Sequence, residues 1–228
     1  MKLFISCFAF CSIVFSCTQF SELNEPGDLE LIRASRQDIM NAMKDRNGTQ
    51  HDWIKDRLDY DNSEILLFRG HPEIDQKILN QIVIRMIQEH LCAYEGVSII
   101  KFEESLSNKY FTSFKLKVSM ECSSMEDEEE FFSGFTIDMR SLKPILLKDE
   151  LKEEEGFGTY LIDHYGIKSD CVPIHIFPIS GFIKNKTMTL YIYPTSTDAD
   201  CDEELVINWE DVSMFFKEAS ALNIGMTN

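Results

Sequence analysis

The chain has 228 residues and carries 39 acidic against 22 basic side chains, for a formal charge of −17. That balance excludes nucleic acid as a partner, because backbone binding needs clustered Lys and Arg. It also opposes docking flat on anionic lipid and favours solubility or a basic macromolecular partner.

Met1-Lys2 and the apolar run from Leu3 to Phe15 have the form of an export signal. The run is too short for a spanning helix, which needs roughly 20 apolar residues. Val14-Phe15-Ser16-Cys17 has the pattern of a bacterial lipobox, with Phe15 as its departure, and Cys17 is the expected lipidation site. A lipid there would anchor the chain to a membrane surface without a spanning segment. Ordinary cleavage nearby would instead leave a secreted protein. Either way the expected location is outside the cytoplasm, in a bacterial envelope or beyond it. Residues 1–17 are therefore read as signal, 18–27 as a tether and 28–228 as one domain.

Four of the seven cysteines, Cys92, Cys122, Cys171 and Cys201, belong to that domain. Their spacing suits neither a zinc ribbon nor a CxxC redox site, and an even set in an exported chain suits two disulfides. Three pairings are open; the most economical joins Cys92 to Cys122 and Cys171 to Cys201. The acid is clustered: Glu126, Asp127, Glu128, Glu129 and Glu130 form one run. A second covers Asp149, Glu150 and Glu153 to Glu155, and a third Asp198, Asp200, Asp202, Glu203 and Glu204. Singly each run reads as a solvated loop or helix end. Convergence of the first and third on one face would make them a partner-binding surface.

In chain order, Asp28 is expected to cap a helix running to about Arg46, stopped by Asn47-Gly48. Trp53, Ile54 and Leu58 suggest a short second helix. Ser63 to Phe68 reads as a strand and Gly70-His71-Pro72 as a turn. Ile78, Leu79, Ile82, Val83, Met86 and Ile87 recur at helical spacing and predict a helix over Asp75 to Leu91. Strands are expected at Val97 to Phe102, Tyr110 to Met120 and Phe131 to Met139, with the first acidic run as the hairpin connection between the last two. The alternation through Phe114, Leu116 and Val118 suits a sheet with one wet face. A helix over 150–165, a strand at Val172 to Pro178 and a hairpin turning at Asn185-Lys186 follow. Leu205 to Ile207 forms a last strand before a helix capped by Asn208 over Trp209 to Ala219, with Val212, Phe215 and Phe216 inward.

Four of these segments are similar to a known family. Phe135-Thr136-Ile137-Asp138-Met139-Arg140-Ser141-Leu142-Lys143-Pro144-Ile145-Leu146-Leu147-Lys148-Asp149-Glu150-Leu151 resembles the strand, turn and leucine-aspartate-leucine stretch of the DUF3298 domain. Lys186 to Pro194 resembles its late strand, and Leu205 to Val212 its closing strand and helix. Glu64 to Glu89 resembles the preceding strand, proline-containing turn and asparagine-bearing helix. The resemblance implies an α+β fold, helices packed on a mainly antiparallel sheet, with a preceding segment at 64–92 and a core at 97–219. It further implies an extracytoplasmic envelope domain that senses or binds, with a basic wall-active protein such as lysozyme as a suggested partner. Family members carry glycine where this chain has Leu142, so that turn is expected to differ. They carry tyrosine and glycine where this chain has the acidic stretch Thr195 to Asp202, so no contact of that loop transfers.

Motifs for chemistry are sparse. Asp198, Asp200 and Asp202 have calcium-loop spacing, but Glu203 stands where glycine is needed and Trp209 where glutamate is needed. The histidines His51, His71, His90, His164 and His175 show no metal spacing, and no GxSxG supports a hydrolase built on His164 and Asp163. Asn47-Gly48-Thr49 and Asn185-Lys186-Thr187 are sequons, available only to a glycosylating host. No catalytic residue, metal ligand or cofactor is assigned. The expected function is binding, with a wall-hydrolase-like enzyme or a ligand-free structural envelope protein as alternatives. Exposed aromatics such as Trp53, Tyr191 or Tyr193 around an acidic cleft would favour binding, and a buried carboxylate pair would favour catalysis.

Overall fold

The structure is a computed structural model that describes residues 29–44, 56–70, 72–123, 129–168, 180–191 and 204–227. The fold class is α+β, with antiparallel sheets and helices packed against them. The export signal, Cys17, the tether, Asn47-Gly48, Trp53, Cys171, the strand expected at Val172 to Pro178, Tyr193 and Cys201 lie outside the described residues.

The first expected helix is shorter than its apolar stripe suggested. Residues Glu30–Arg33 form strand β1, paired with β2 at Leu66–Arg69, and helix α1 covers only Arg36–Ala42. The cause is local: Ser35 and Asp38 build a capping box, Asp38 N–H donating to Ser35 Oγ at 3.2 Å and Ser35 N–H to Asp38 at 3.0 Å. That box fixes the helix start seven residues beyond Asp28 and leaves Leu31 and Ile32 to pair as strand. Leu58 likewise makes a parallel bridge to Ser98 rather than a helix turn.

Helix α2, Glu73–Gln88, matches its periodicity closely and buries Leu79, Val83, Ile84 and Ile87 on one face. Its Asn80 is also buried, and it behaves as an extra strand residue. The Asn80 carboxamide accepts the Phe68 N–H at 2.7 Å and donates to the Phe68 carbonyl at 2.9 Å, pinning α2 to β2. Below α2 lies a four-stranded sheet, order β3-β4-β5-β6, from Gly96–Ser107, Phe111–Cys122, Glu129–Asp138 and Lys143–Pro144. Phe114 is fully buried at the centre of this layer, with its ring edge against Phe102 at 5.3 Å and tilted on Phe135 at 4.8 Å.

Of the three cysteine pairings, the structure forms Cys92–Cys122, Cα atoms 5.5 Å apart, tying the approach to β3 to the end of β4. Gly96 makes this fit. Its φ is 137°, and a Cβ there would meet the Glu121 carbonyl at 2.4 Å and Cys92 Sγ at 2.8 Å.

A second core follows. Helices α3, Leu147–Glu150, and α4, Glu154–Tyr165, lead to a three-stranded sheet of β7 at Ser180–Lys184, β8 at Thr187–Tyr191 and β9 at Glu204–Asn208. Its hairpin turns at Asn185 and Lys186, both with positive φ, as a two-residue turn requires. The closing helix departs from expectation: α5 is only Trp209–Val212, a 3₁₀ turn covers Ser213–Phe215, and α6 covers Ala221–Thr227. Phe216 causes the break, because it bridges to Leu151 in extended conformation and is fully buried. Asn208 bonds Asp211 through its side chain and makes no side-chain cap bond to the backbone. Phe215 is only half-buried.

Leu142 stands out in the turn between β5 and β6. Its φ is 52°, in the region that favours glycine, so leucine holds here a backbone conformation it rarely adopts.

Replacing Asn80 with leucine keeps the volume but leaves the buried Phe68 N–H and C=O without their partner. Unfolding free energy is expected to fall by about 2–4 kcal/mol, read from the denaturant midpoint of the variant against the parent chain.

Candidate functional site

The second sheet lies across the outer face of the first. Side chains alternate along β4, so Phe114, Leu116 and Val118 point to α2 while Phe111, Ser113, Lys115 and Lys117 share the opposite face. The face expected to be wet is therefore covered at one end. There Ile183 N–H donates to Ser113 Oγ at 3.0 Å, and Ser113 shares a 2.8 Å bond with Thr136, all within the interior. Gly134 and Gly181 allow this approach: a Cβ on Gly134 would lie 2.9 Å from the Phe114 carbonyl and 3.1 Å from the Gly181 backbone.

Beyond the covered end, the exposed part of the face gathers charge. Lys117 pairs with Glu130 at 2.8 Å, and Lys115 with Glu204 at 3.5 Å. Lys115 and Lys117 are next-but-one neighbours on one strand, so Glu130 of the first acidic run and Glu204 of the third reach the same sheet face, while Glu129, beside Glu130 in β5, points to the opposite one. Glu126, Asp127, Glu128, Asp198, Asp200, Asp202 and Glu203 lie outside the described residues. Lys101 stands opposite Lys117 in register, and Glu104 pairs with Lys184 of β7. The hydrogen bond from Lys117 holds the Glu130 carboxyl below its usual range, with Ser119 and Lys101 assisting. Glu130 in turn raises Lys117.

Lys115 and Lys117 were not among the expected site residues; their sequence signal is the Lys-x-Lys alternation within a predicted strand. Tyr191 differs from its expected place at a rim. It is buried, with Lys115 6.0 Å from its ring centre and 4.5 Å from that of Phe132. His164 is exposed and stacks on Tyr160 at 4.0 Å. Among the described residues no group of three or more His, Cys, Asp or Glu side chains is placed to hold a metal.

Where α2, β5 and the β7–β8 hairpin meet, a cleft of about 380 Å³ opens. Its walls are mostly apolar, with Met86, Phe135, Ile145, Leu146, Ile183 and Leu190 among them. Arg85, Glu89 and His90 from the end of α2 add the ionisable groups. Asp38 and Asp59, held below their usual range by bonds from Ser35 and Asn62 respectively, lie outside the cleft, as does Glu130. The cleft is thus apolar where an acidic one was the sequence-based sign of binding.

His90 packs edge-on against Phe131 at 5.9 Å, and burial pushes its imidazole down to about 4. The folded state therefore favours neutral His90. Its contribution is complete above the unfolded value of about 6.5 and is lost as pH falls towards 4. Acidification from about pH 7 to pH 4.5 is expected to cost about 2–3 kcal/mol through this residue. His90→Gln should show a visibly smaller fall in melting temperature over that range than the parent chain.

No family model matches the chain, and no curated protein matches it. Among solved structures, it is similar to a member of the DUF3298 family from Bacteroides fragilis, at 15% identity over 68% of this chain and 70% of that one, TM-score 0.43. It is also similar to a DUF3298 family protein from Pseudomonas aeruginosa, at 17% identity over 68% of this chain and 83% of that one, TM-score 0.41. Both belong to the family that residues 135–151, 186–194 and 205–212 resemble.

Proposed function

We propose that this chain is an exported, envelope-anchored binding domain of the DUF3298 type whose partner is a basic protein, with lysozyme as the representative probe. The observation that carries the reading is the meeting of Glu130 and Glu204 on one sheet face of a chain with charge −17. A basic surface approaching that face would meet both carboxylate groups together and gain in on-rate from the surrounding field. The Cys92–Cys122 disulfide supports export, because such bonds persist chiefly in oxidising compartments. The signal-like start and Val14 to Cys17 support lipid anchoring at Cys17.

A soluble chain beginning at Thr18, immobilised on a support, is expected to retain lysozyme at low salt and release it as salt rises. Glu130→Gln and Glu204→Gln combined should weaken retention several-fold. Undiminished retention by that double variant would move the partner surface elsewhere, and failure to retain lysozyme or any other basic wall-active protein would refute the reading. Mass spectrometry of the natively expressed protein tests the anchoring separately: a mature chain starting at acylated Cys17 is expected, and a free amino terminus elsewhere contradicts it.

A further inference from the structure

The acidic face does not account for the cleft between α2, β5 and the β7–β8 hairpin. About 380 Å³ falls within the range of small-ligand sites. A ligand of about a dozen non-hydrogen atoms fits with room to spare, since a bonded atom takes less than the roughly 30 Å³ that each water occupies in the liquid. Apolar walls call for an apolar body on the ligand.

The ionisable residues add a further requirement. Arg85 and Glu89 stand one helical turn apart on α2, with Cβ atoms about 5–6 Å from each other as helix geometry dictates. Both are exposed, and among the described residues neither side chain is ion-paired or hydrogen-bonded within the protein. Beside them His90 is held neutral and adds no charge at physiological pH. One available cation and one available anion therefore line the same apolar cleft. A guanidinium takes a carboxylate through two parallel bonds, and a carboxylate takes an ammonium. A ligand bearing a carboxylate alone would oppose the negative field of the chain, whereas a zwitterion carries no net charge into it.

We infer that this cleft binds a free apolar α-amino acid of the phenylalanine or leucine type. Its side chain lies among Met86, Phe135, Ile145 and Leu190, its carboxylate on Arg85 and its ammonium on Glu89. The ammonium and carboxylate flank one carbon, so both charged partners on a single helical turn can reach them.

The test is titration of the purified whole chain with L-phenylalanine, followed by calorimetry and by NMR shifts of cleft residues. Three analogues run beside it: phenethylamine keeps only the ammonium, 3-phenylpropanoate only the carboxylate, and N-acetylphenylalaninamide neither. Saturable binding of the amino acid is expected, about tenfold or more tighter than any analogue. Arg85→Gln and Glu89→Gln, both exposed substitutions, should each weaken it about fivefold or more. Equal affinity for all four compounds, tighter binding of any analogue, insensitivity to both substitutions, or no saturable binding would each overturn the inference. None of these outcomes bears on lysozyme retention, which reads a different surface.

Discussion

Ser113 accepts the Ile183 N–H on one side and shares a hydrogen bond with Thr136 on the other, deep between two sheets. A buried donor left without a partner costs about 1–3 kcal/mol, so this small bridge fixes where β7 crosses β4 and β5. The glycines at 134 and 181 let the backbones come close enough for it to form. Much of the functional geometry follows from that crossing. It brings Lys184 to Glu104 and Glu204 to Lys115, and it sets the β7–β8 hairpin as one wall of the cleft.

The two cores meet at this junction and differ in construction. The first is dominated by aliphatic residues of α2 and a cluster of phenylalanine rings around Phe114, with Asn80 satisfying the buried N–H and C=O of Phe68 in β2. The second gathers Phe157, Trp209 and Phe216 around short elements, and Phe216 closes it only by interrupting the last helix. A disulfide holds the far end of the first sheet, where β3 and β4 would otherwise fray. The cleft lies where neither core fills the space completely.

Long periodic segments were legible in the sequence. Helix α2, strands β4 and β5 and the hairpin at Asn185-Lys186 stand close to where alternation and turn residues put them, whereas β3 runs five residues past its expected end at Phe102. The misreadings arose where a local bond outranked a pattern. Leu29, Ile32 and Ile39 share helical spacing, but the Ser35–Asp38 capping box places the helix start after the first two. Phe215 and Phe216 look like one inward helical face, yet the bridge to Leu151 turns only Phe216 fully into the core. Leu142 shows the converse, a backbone conformation held without its favoured residue. At the candidate site the acids were visible by number, whereas their meeting through Lys115 and Lys117 depends on strand register and on the crossing at Ser113. The cleft was illegible for the same reason, since its walls come from segments far apart in the chain.

Hydrogen exchange at the Ile183 amide tests the junction most directly. Protection close to that of the central β4 amides is expected, because breaking the bond to Ser113 requires the two sheets to part. Exchange as fast as that of a solvent-exposed hairpin edge would contradict the crossing, and with it the shared charged face and the cleft.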